Sequence, residues 1–298
     1  MSQSSRKNRP HVACEISADT VVAARVSQRG DGLEAFTARD LPKGAVAPDL
    51  TQANVLQADS LRQAISAALD EVAGRARDVV LIVPDASVRV VLLDFETLPD
   101  KREEAEAVVR FRLKKSLPFD VDKARVSYQV QPGAGGKELK VIAAVGLASI
   151  MDEYEAAFRD SGYVPGVVLP SMLAALGAVD AARPTLVVKV DPSTTSIAIL
   201  EKEHLLLFRT LENARGLSIT GEQLAEDVYP SVVFFQDTYK LDVERVFVAG
   251  LPNSEVALPG LQSQTGVEVQ ELVGAQQLSS LAAGSRSQFA GVTGALLS

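Results

Sequence analysis

Two periods of hydrophobic and polar residues alternate along the chain. Residues 186–200, LVVKVDPSTTSIAIL, carry an apolar run, a polar turn at Asp191, Pro192, Ser193 and Thr194, and a second apolar run. That is the pattern of a strand, a tight turn and a returning strand. Residues 11–26, HVACEISADTVVAARV, repeat it more faintly, with the turn at Ser17, Ala18 and Asp19. Each pair leads into a third strand with an aromatic residue and a short polar end: EAFTAR at 34–39 and LLLFRT at 205–210. A meander that recurs in the two halves of a chain predicts two similar α/β lobes facing one another.

Between the meanders the period changes. After the candidate caps Asp59 and Ser60, the residues Leu61, Ile65, Ala68, Leu69 and Val72 keep a helical spacing. Residues 78–84, DVVLIVP, are apolar after the leading Asp78, as in a strand buried on both faces. Residues 87–145 then read as an insertion. It holds a strand at 87–93, a helix at 101–116 with Ala105, Val108, Val109, Arg112 and Leu113 on one face, and a hairpin of 124–130 with 139–145. Glutamates 103, 104 and 106 open that helix and Lys114 and Lys115 close it, an order that complements the helix dipole. The hairpin tip at 132–136, PGAGG, lacks a Gly-Lys-Ser/Thr ending and opens no helix, so it reads as a flexible tip and not a phosphate loop. A helix at 149–161, a strand at 164–168 and a helix at 170–179 complete the first lobe. The second lobe adds a helix at 218–239 with a break or kink at Pro230, a strand at 246–249, a short helix at 259–265, a strand at 267–270 and a closing helix at 285–296. The division expected is a disordered tail at 1–10, a first lobe at 11–86 and 146–184, the insert at 87–145, and a second lobe at 185–298.

Composition narrows the function. The 298 residues are 47% hydrophobic and 23% charged, enough to bury a core in each lobe. Aromatics are 5% and tryptophan is absent, so Val, Ala and Leu must fill those cores. A net charge of −8 argues against nucleic acid or an anionic membrane surface as the main partner. The single cysteine, Cys14, lies inside an apolar strand pattern and reads as a small buried hydrophobe. His11 and His204 flank strands, and no spacing of Cys, His and carboxylates suggests a metal site. No run is long and apolar enough to span a bilayer, and no apolar segment follows the basic N-terminus as a secretory signal requires, so a cytoplasmic protein is expected.

The insert carries a resemblance. Leu98-Pro99, the acidic helix from Glu103, Ser116-Leu117-Pro118-Phe119 and Tyr128-Gln129-Val130 are similar to PilM, the actin-like cytoplasmic family of type IV pilus assembly. Asp191–Thr195 resembles that family's second phosphate motif, and 216–220 (GLSIT) the segment after the second meander. Val248-Ala249-Gly250 with 257–261 (ALPGL) resembles its adenosine motif, and 289–296 (FAGVTGAL) its closing helix. The resemblance covers nearly the whole chain. It implies a two-lobed actin-like fold, a ribonuclease H-like repeat, with a small α+β subdomain inserted in the first lobe. The related cytoplasmic part of GspL continues into a membrane helix where this sequence ends, so PilM is expected to be the nearer relative.

Departures from the family pattern bear on chemistry. Phosphate binding in this fold needs free backbone N–H groups in glycine turns, and carboxylates for Mg²⁺. Here Glu15 stands where Asp is usual, Ser17 where Gly is usual, and Asp19 points a carboxylate toward the phosphate position. Lys189 replaces an Asp, Asp191 a Gly, and Pro192 removes an N–H donor. The extra subdomain that family members carry in the second lobe is missing between residues 218 and 239. A degenerate nucleotide site is therefore expected at Glu15, Asp19, Thr20, Asp191, Ser193, Thr194 and Gly250, with no cofactor, or ATP and Mg²⁺ held weakly, and with neither catalytic residues nor a bound metal. The resemblance also implies partners: a PilN-like bitopic inner-membrane protein, whose N-terminal tail lies between the first lobe and the insert, and the motor ATPases of pilus assembly. Val90, Leu92, Phe111, Leu117, Phe119 and Tyr128 are the candidate contacts for that tail. The expected function is a structural scaffold. An active actin-like ATPase is the alternative, and a sugar-kinase-like enzyme of the same superfold a distant third.

Overall fold

The structure is a computed structural model. It describes residues 9–133, 138–252, 254–274, 278 and 285–298, with the backbone alone for 254–257. Most of the hairpin tip at 132–136 and residues 1–8 of the N-terminal tail thus lie outside the described residues. Of the tail, Arg9 donates to the hydroxyl of Ser298 at 2.6 Å.

The first lobe starts with an antiparallel meander, β1 (Val12–Ile16), β2 (Thr20–Val26) and β3 (Leu33–Asp40). Helix α1 (Ala58–Val72) crosses over to β4 (Asp78–Val83), which runs parallel to β1. After an insert come α3 (Ala148–Asp160), β8 (Val164–Pro170) and the short α4 (Ser171–Ala175). The sheet order is β3-β2-β1-β4-β8. The second lobe repeats this plan with β9 (Thr185–Val190), β10 (Thr194–Glu201), β11 (His204–Glu212), α5 (Gly221–Tyr239), β12 (Arg245–Ala249), α6 (Ser254–Thr265) and β13 (Val269–Glu271). Its sheet order is β11-β10-β9-β12-β13, the same permutation. The final helix, α7 (Ala290–Leu297), is apolar all round and packs between the lobes. The insert is a three-stranded antiparallel sheet of β5 (Arg89–Phe95), β6 (Ala124–Pro132) and β7 (Leu139–Leu147), ordered β5-β7-β6, with α2 (Arg102–Leu113) on one face.

Among the described residues, four apolar clusters hold this together. Helices α1 and α3 cover the outer face of the first sheet, and α5 and α6 that of the second. The inner faces of both sheets meet α4 and α7 in a shared core built of small residues such as Ala13, Ala24, Ala198 and Ala249. Small side chains there let the two sheets approach closely without leaving voids.

Local chemistry moved several boundaries. The cap of α1 is Gln57 and makes no side-chain capping bond, so Asp59 and Ser60 fall inside the first turn. The insert's strand begins two residues later, after a single turn of 3₁₀ helix at Asp85–Ser87. Its helix is shorter than expected at both ends, and Val108 is exposed while Val109 carries the packing. The expected break at Pro230 does not occur, and α5 runs unbroken through it. Pro230 is exposed, so water can take the carbonyl its missing N–H leaves free. Thr220 caps α5 reciprocally with Gln223, and the helix ends at Lys240 in the left-handed region. Four further residues lead directly to β12, with no additional subdomain. Helix α6 starts five residues before the expected 259, and the helix expected at 170–179 splits into α4 and a 3₁₀ turn.

Candidate functional site

The two turns at the heads of the lobes face each other. Around them the sheets deliver one ammonium and three carboxylates. Glu15 comes from β1, Lys189 from β9 and Asp191 from the turn after it; Asp85 follows β4. Lys189 Nζ lies 2.5 Å from Asp191 Oδ1 and 3.5 Å from Glu15 Oε1. Glu15 also accepts a short hydrogen bond from Ser171 at the start of α4. Asp85 accepts from the Met172 N–H at 3.0 Å and from the Ser196 hydroxyl on β10 at 2.8 Å. The Glu15–Lys189 and Asp85–Ser196 contacts each join one lobe to the other.

Burial sets the electrostatics. Burial pushes the pKa of Glu15 up, against the pull of Lys189. Asp85 is likewise pushed by burial, to about 6. Burial alone would lower the Lys189 pKa, but Asp191, Glu15 and Asp85 together raise it, so the ammonium stays charged. The second oxygens of Glu15 and Asp191 are buried with no hydrogen-bond partner. A Cβ at Gly291 of α7 would overlap the free oxygen of Glu15, so only glycine lets the closing helix lie there. Gly250, at φ +85°, similarly brings the end of β12 against the Val190 carbonyl.

These shifts predict a pH dependence. Asp85 rises from 3.8 to about 6 on folding, so the fold gains a proton in that window. Its contribution to stability is complete below the unfolded pKa and is lost as pH rises through 6. Two units correspond to roughly 3 kcal/mol. Urea unfolding of Asp85→Asn is expected to lack this decline between about pH 4 and about pH 7. Parallel profiles for variant and parent would refute the assignment.

The sequence-derived nucleotide residues divide. Glu15, Asp19, Thr20, Asp191 and Gly250 line a 220 Å³ cavity between the lobes, together with Lys189 and Ser17. Ser193 and Thr194 lie behind it, beside Pro84 and Ser171. The first turn closes on itself. The Ser17 hydroxyl donates to Asp19 at 2.6 Å, meets the Thr20 hydroxyl at 2.9 Å and accepts the backbone N–H groups of Asp19 and Thr20. In the second turn the Asp191 N–H is bound to the Thr194 carbonyl. Sequence reasoning missed Asp85, Ser171, Ser196 and Gly291. A carboxylate two residues after β4, which is apolar from Val79 to Val83, is a signal for Asp85, because sites in α/β folds gather at the carboxyl ends of strands. The others come from distant elements and leave no local pattern. Among the described residues, no group of three or more His, Cys, Asp or Glu is placed to hold a metal ion.

The residues named for partner contact lie in three places. Leu117, Phe119 and Tyr128 pack on the insert's own core. Phe111 is 67% exposed on the far face of α2. Val90 and Leu92 face the second lobe. The boundary between the first lobe and the insert instead holds a 200 Å³ groove lined by Val83, Val168 and Pro170 on one side and Arg125, Val126, Ser127 and Ala144 on the other, with Met151 below. Strands β6 and β8 are end strands of their sheets, so this groove has a sheet edge on each side.

This arrangement, two lobes of one topology with turns facing across a cleft, is the actin-like fold. Compared by sequence, the chain matches no family model and no curated protein. Compared by structure, it is similar to a chain of a PilM-PilN type IV pilus biogenesis complex, with a TM-score of 0.80 at 20% identity over 97% of this chain and 98% of that one. It is also similar to a Bacteroides thetaiotaomicron protein with an actin-like ATPase fold and unknown function (TM-score 0.52, 11% identity, 95% and 100% covered). A third likeness is to the cytoplasmic domain of EpsL, an inner-membrane component of the Vibrio cholerae type II secretion system (TM-score 0.52, 10% identity, 91% and 95% covered). Among the described residues no helix is long and apolar enough to cross a membrane.

Proposed function

We propose that this chain is a nucleotide-independent, cytoplasmic scaffold of type IV pilus assembly or a related secretion system. It holds the N-terminal cytoplasmic tail of a PilN-like inner-membrane protein, which keeps it at that membrane, and it meets the motor ATPases through that assembly. The observation that carries this reading is the groove between β8 and β6, in a chain whose fold follows a PilM-PilN component end to end. A narrow apolar groove between two strand ends suits an extended peptide, with backbone pairing for affinity and pockets for alternate side chains. The tail contacts move from the six residues named above to Val126, Ser127, Ala144 and Met151. The test is titration with a synthetic peptide of the cytoplasmic tail of a PilN-like bitopic protein from the same organism. Binding supports the reading, and no binding rejects it.

The alternative is an active ATPase of this fold. The residues at the cleft do not fit Mg-nucleotide. Lys189 already stands as the cation among the carboxylates, the first turn's amides are taken by Ser17, and Pro192 offers none. Magnesium would be repelled by the ammonium, and phosphate by Asp19. Calorimetry with Mg-ATP is expected to register no binding. Micromolar affinity that is lost in Asp19→Ala would overturn this reading.

A further inference from the structure

The insert's sheet has a second end strand, β5, and it also faces the end strand of a main sheet. Between β5, β11 and helix α5 lies a groove of 640 Å³, larger than the one between β6 and β8. Consecutive residues 89–92 of β5 and 206–211 of β11 line it, so backbone edges as well as side chains face the opening. At the start of β11 the edge is closed. The Gln131 amide bonds both the N–H and the carbonyl of Leu205, and the Tyr239 hydroxyl takes the Leu206 carbonyl. From Leu207 to Leu211, among the described residues, no side chain caps the edge in this way.

An open edge beside an apolar floor is a template for another strand. Val90, Leu92 and Phe208 form that floor. The charged groups around it are Arg89, Lys140 and Arg209 against Asp94 alone, and Asp94 is paired with Lys140 at 2.6 Å. Arg209 lies over the Phe234 ring with its centroid 4.9 Å away and donates to the Ser231 hydroxyl at 3.5 Å, and among the described residues no carboxylate pairs with it. A net positive rim on a protein of net charge −8 selects its ligand by sign.

We propose that this groove is a second peptide-docking site, which adds an extended partner segment of alternating apolar and acidic residues to the free edge of β11. The apolar side chains enter the floor and the carboxylates meet Arg89 and Arg209. The site stands independently of the β6–β8 groove, because no residue is shared between the two linings.

The test uses the full chain and a fluorescein-labelled, acetylated octapeptide of alternating valine and glutamate, with a valine–lysine octapeptide as control. The valine–glutamate peptide is expected to bind at least ~10-fold more tightly than the control, a difference one charge-matched rim can supply. Binding should fall by at least ~10-fold in Arg209→Glu and in Arg89→Glu, the second being an exposed position whose change leaves packing intact. Binding should be unchanged in Phe111→Ala, whose ring is exposed and lines neither groove, and hydrogen exchange should slow over residues 207–211. No binding, equal binding of both peptides, or loss in Phe111→Ala would overturn the proposal. A concentration-dependent dimer abolished by Arg209→Glu would assign the groove to a second copy of this chain and overturn it as well.

Discussion

Replacing Lys189 with methionine is expected to cost roughly 3–5 kcal/mol of folding stability at neutral pH, the range for removing one partner of a buried ion pair. The cause is the company Lys189 keeps. Glu15 and Lys189 are both nearly inaccessible, at 6% and 3%, and Asp85 is at 3%. Methionine fills the volume but leaves Glu15, Asp85 and Asp191 facing one another with no counterion. Like charges at such range in a dry site cannot all stay ionised. The penalty should therefore shrink on acidification, as the carboxyls whose pKa burial already raises take up protons. Lys189→Arg should cost less, because it keeps the charge. Adding Glu15→Gln to Lys189→Met should recover part of the loss, since the two side chains share one interaction. Denaturant unfolding at two pH values measures all of this. A penalty below ~1 kcal/mol, typical of exposed pairs, would sink the view that this ammonium joins the lobes.

Ala144→Trp is expected to weaken binding of the membrane partner's tail by at least ~100-fold, about 2.7 kcal/mol. Ala144 sits on β7 opposite Ser127 of β6, and both line the 200 Å³ groove against β8. An indole there occupies space the tail needs and leaves the insert's own core on the α2 side untouched, because successive strand residues point to opposite faces. Thermal unfolding should change little while tail titration loses its signal. Phe111→Ala serves as the contrast. Its ring is exposed on the far side of α2, so tail binding should persist. If Phe111→Ala abolishes binding and Ala144→Trp does not, the tail lies on α2 and not in the groove.

How much was legible follows from how local each feature is. The meanders were readable because strand pairs joined by short turns write their pattern in consecutive residues. Both came out in the expected halves, and the identical strand orders β3-β2-β1-β4-β8 and β11-β10-β9-β12-β13 express the repeat. The helix at 218–239 was readable, but not that it continues as α5 past Pro230, where a break or kink was expected, since a sequence does not say which face of a helix meets water. Lys189 was readable as an oddity, a lysine inside a wholly buried strand. Of its three carboxylates Glu15 and Asp191 were named and Asp85 was not, because Asp85 and Ser196 meet across 111 residues, just as Ser171 reaches Glu15 across 156.

The sequence by itself therefore determined the two-lobed α/β plan, the insert after β4, and the polar turns without glycine at 17–19 and 191–194. Those features depend on periodicity and on the conformations that short turns permit. Only the tertiary structure decided that Lys189 is the cation between the lobes, that the insert leaves a groove at each of its two end strands, and that Leu117, Phe119 and Tyr128 face inward. Each of these depends on which distant faces come together, and the packing of whole sheets sets that, not any local run of residues.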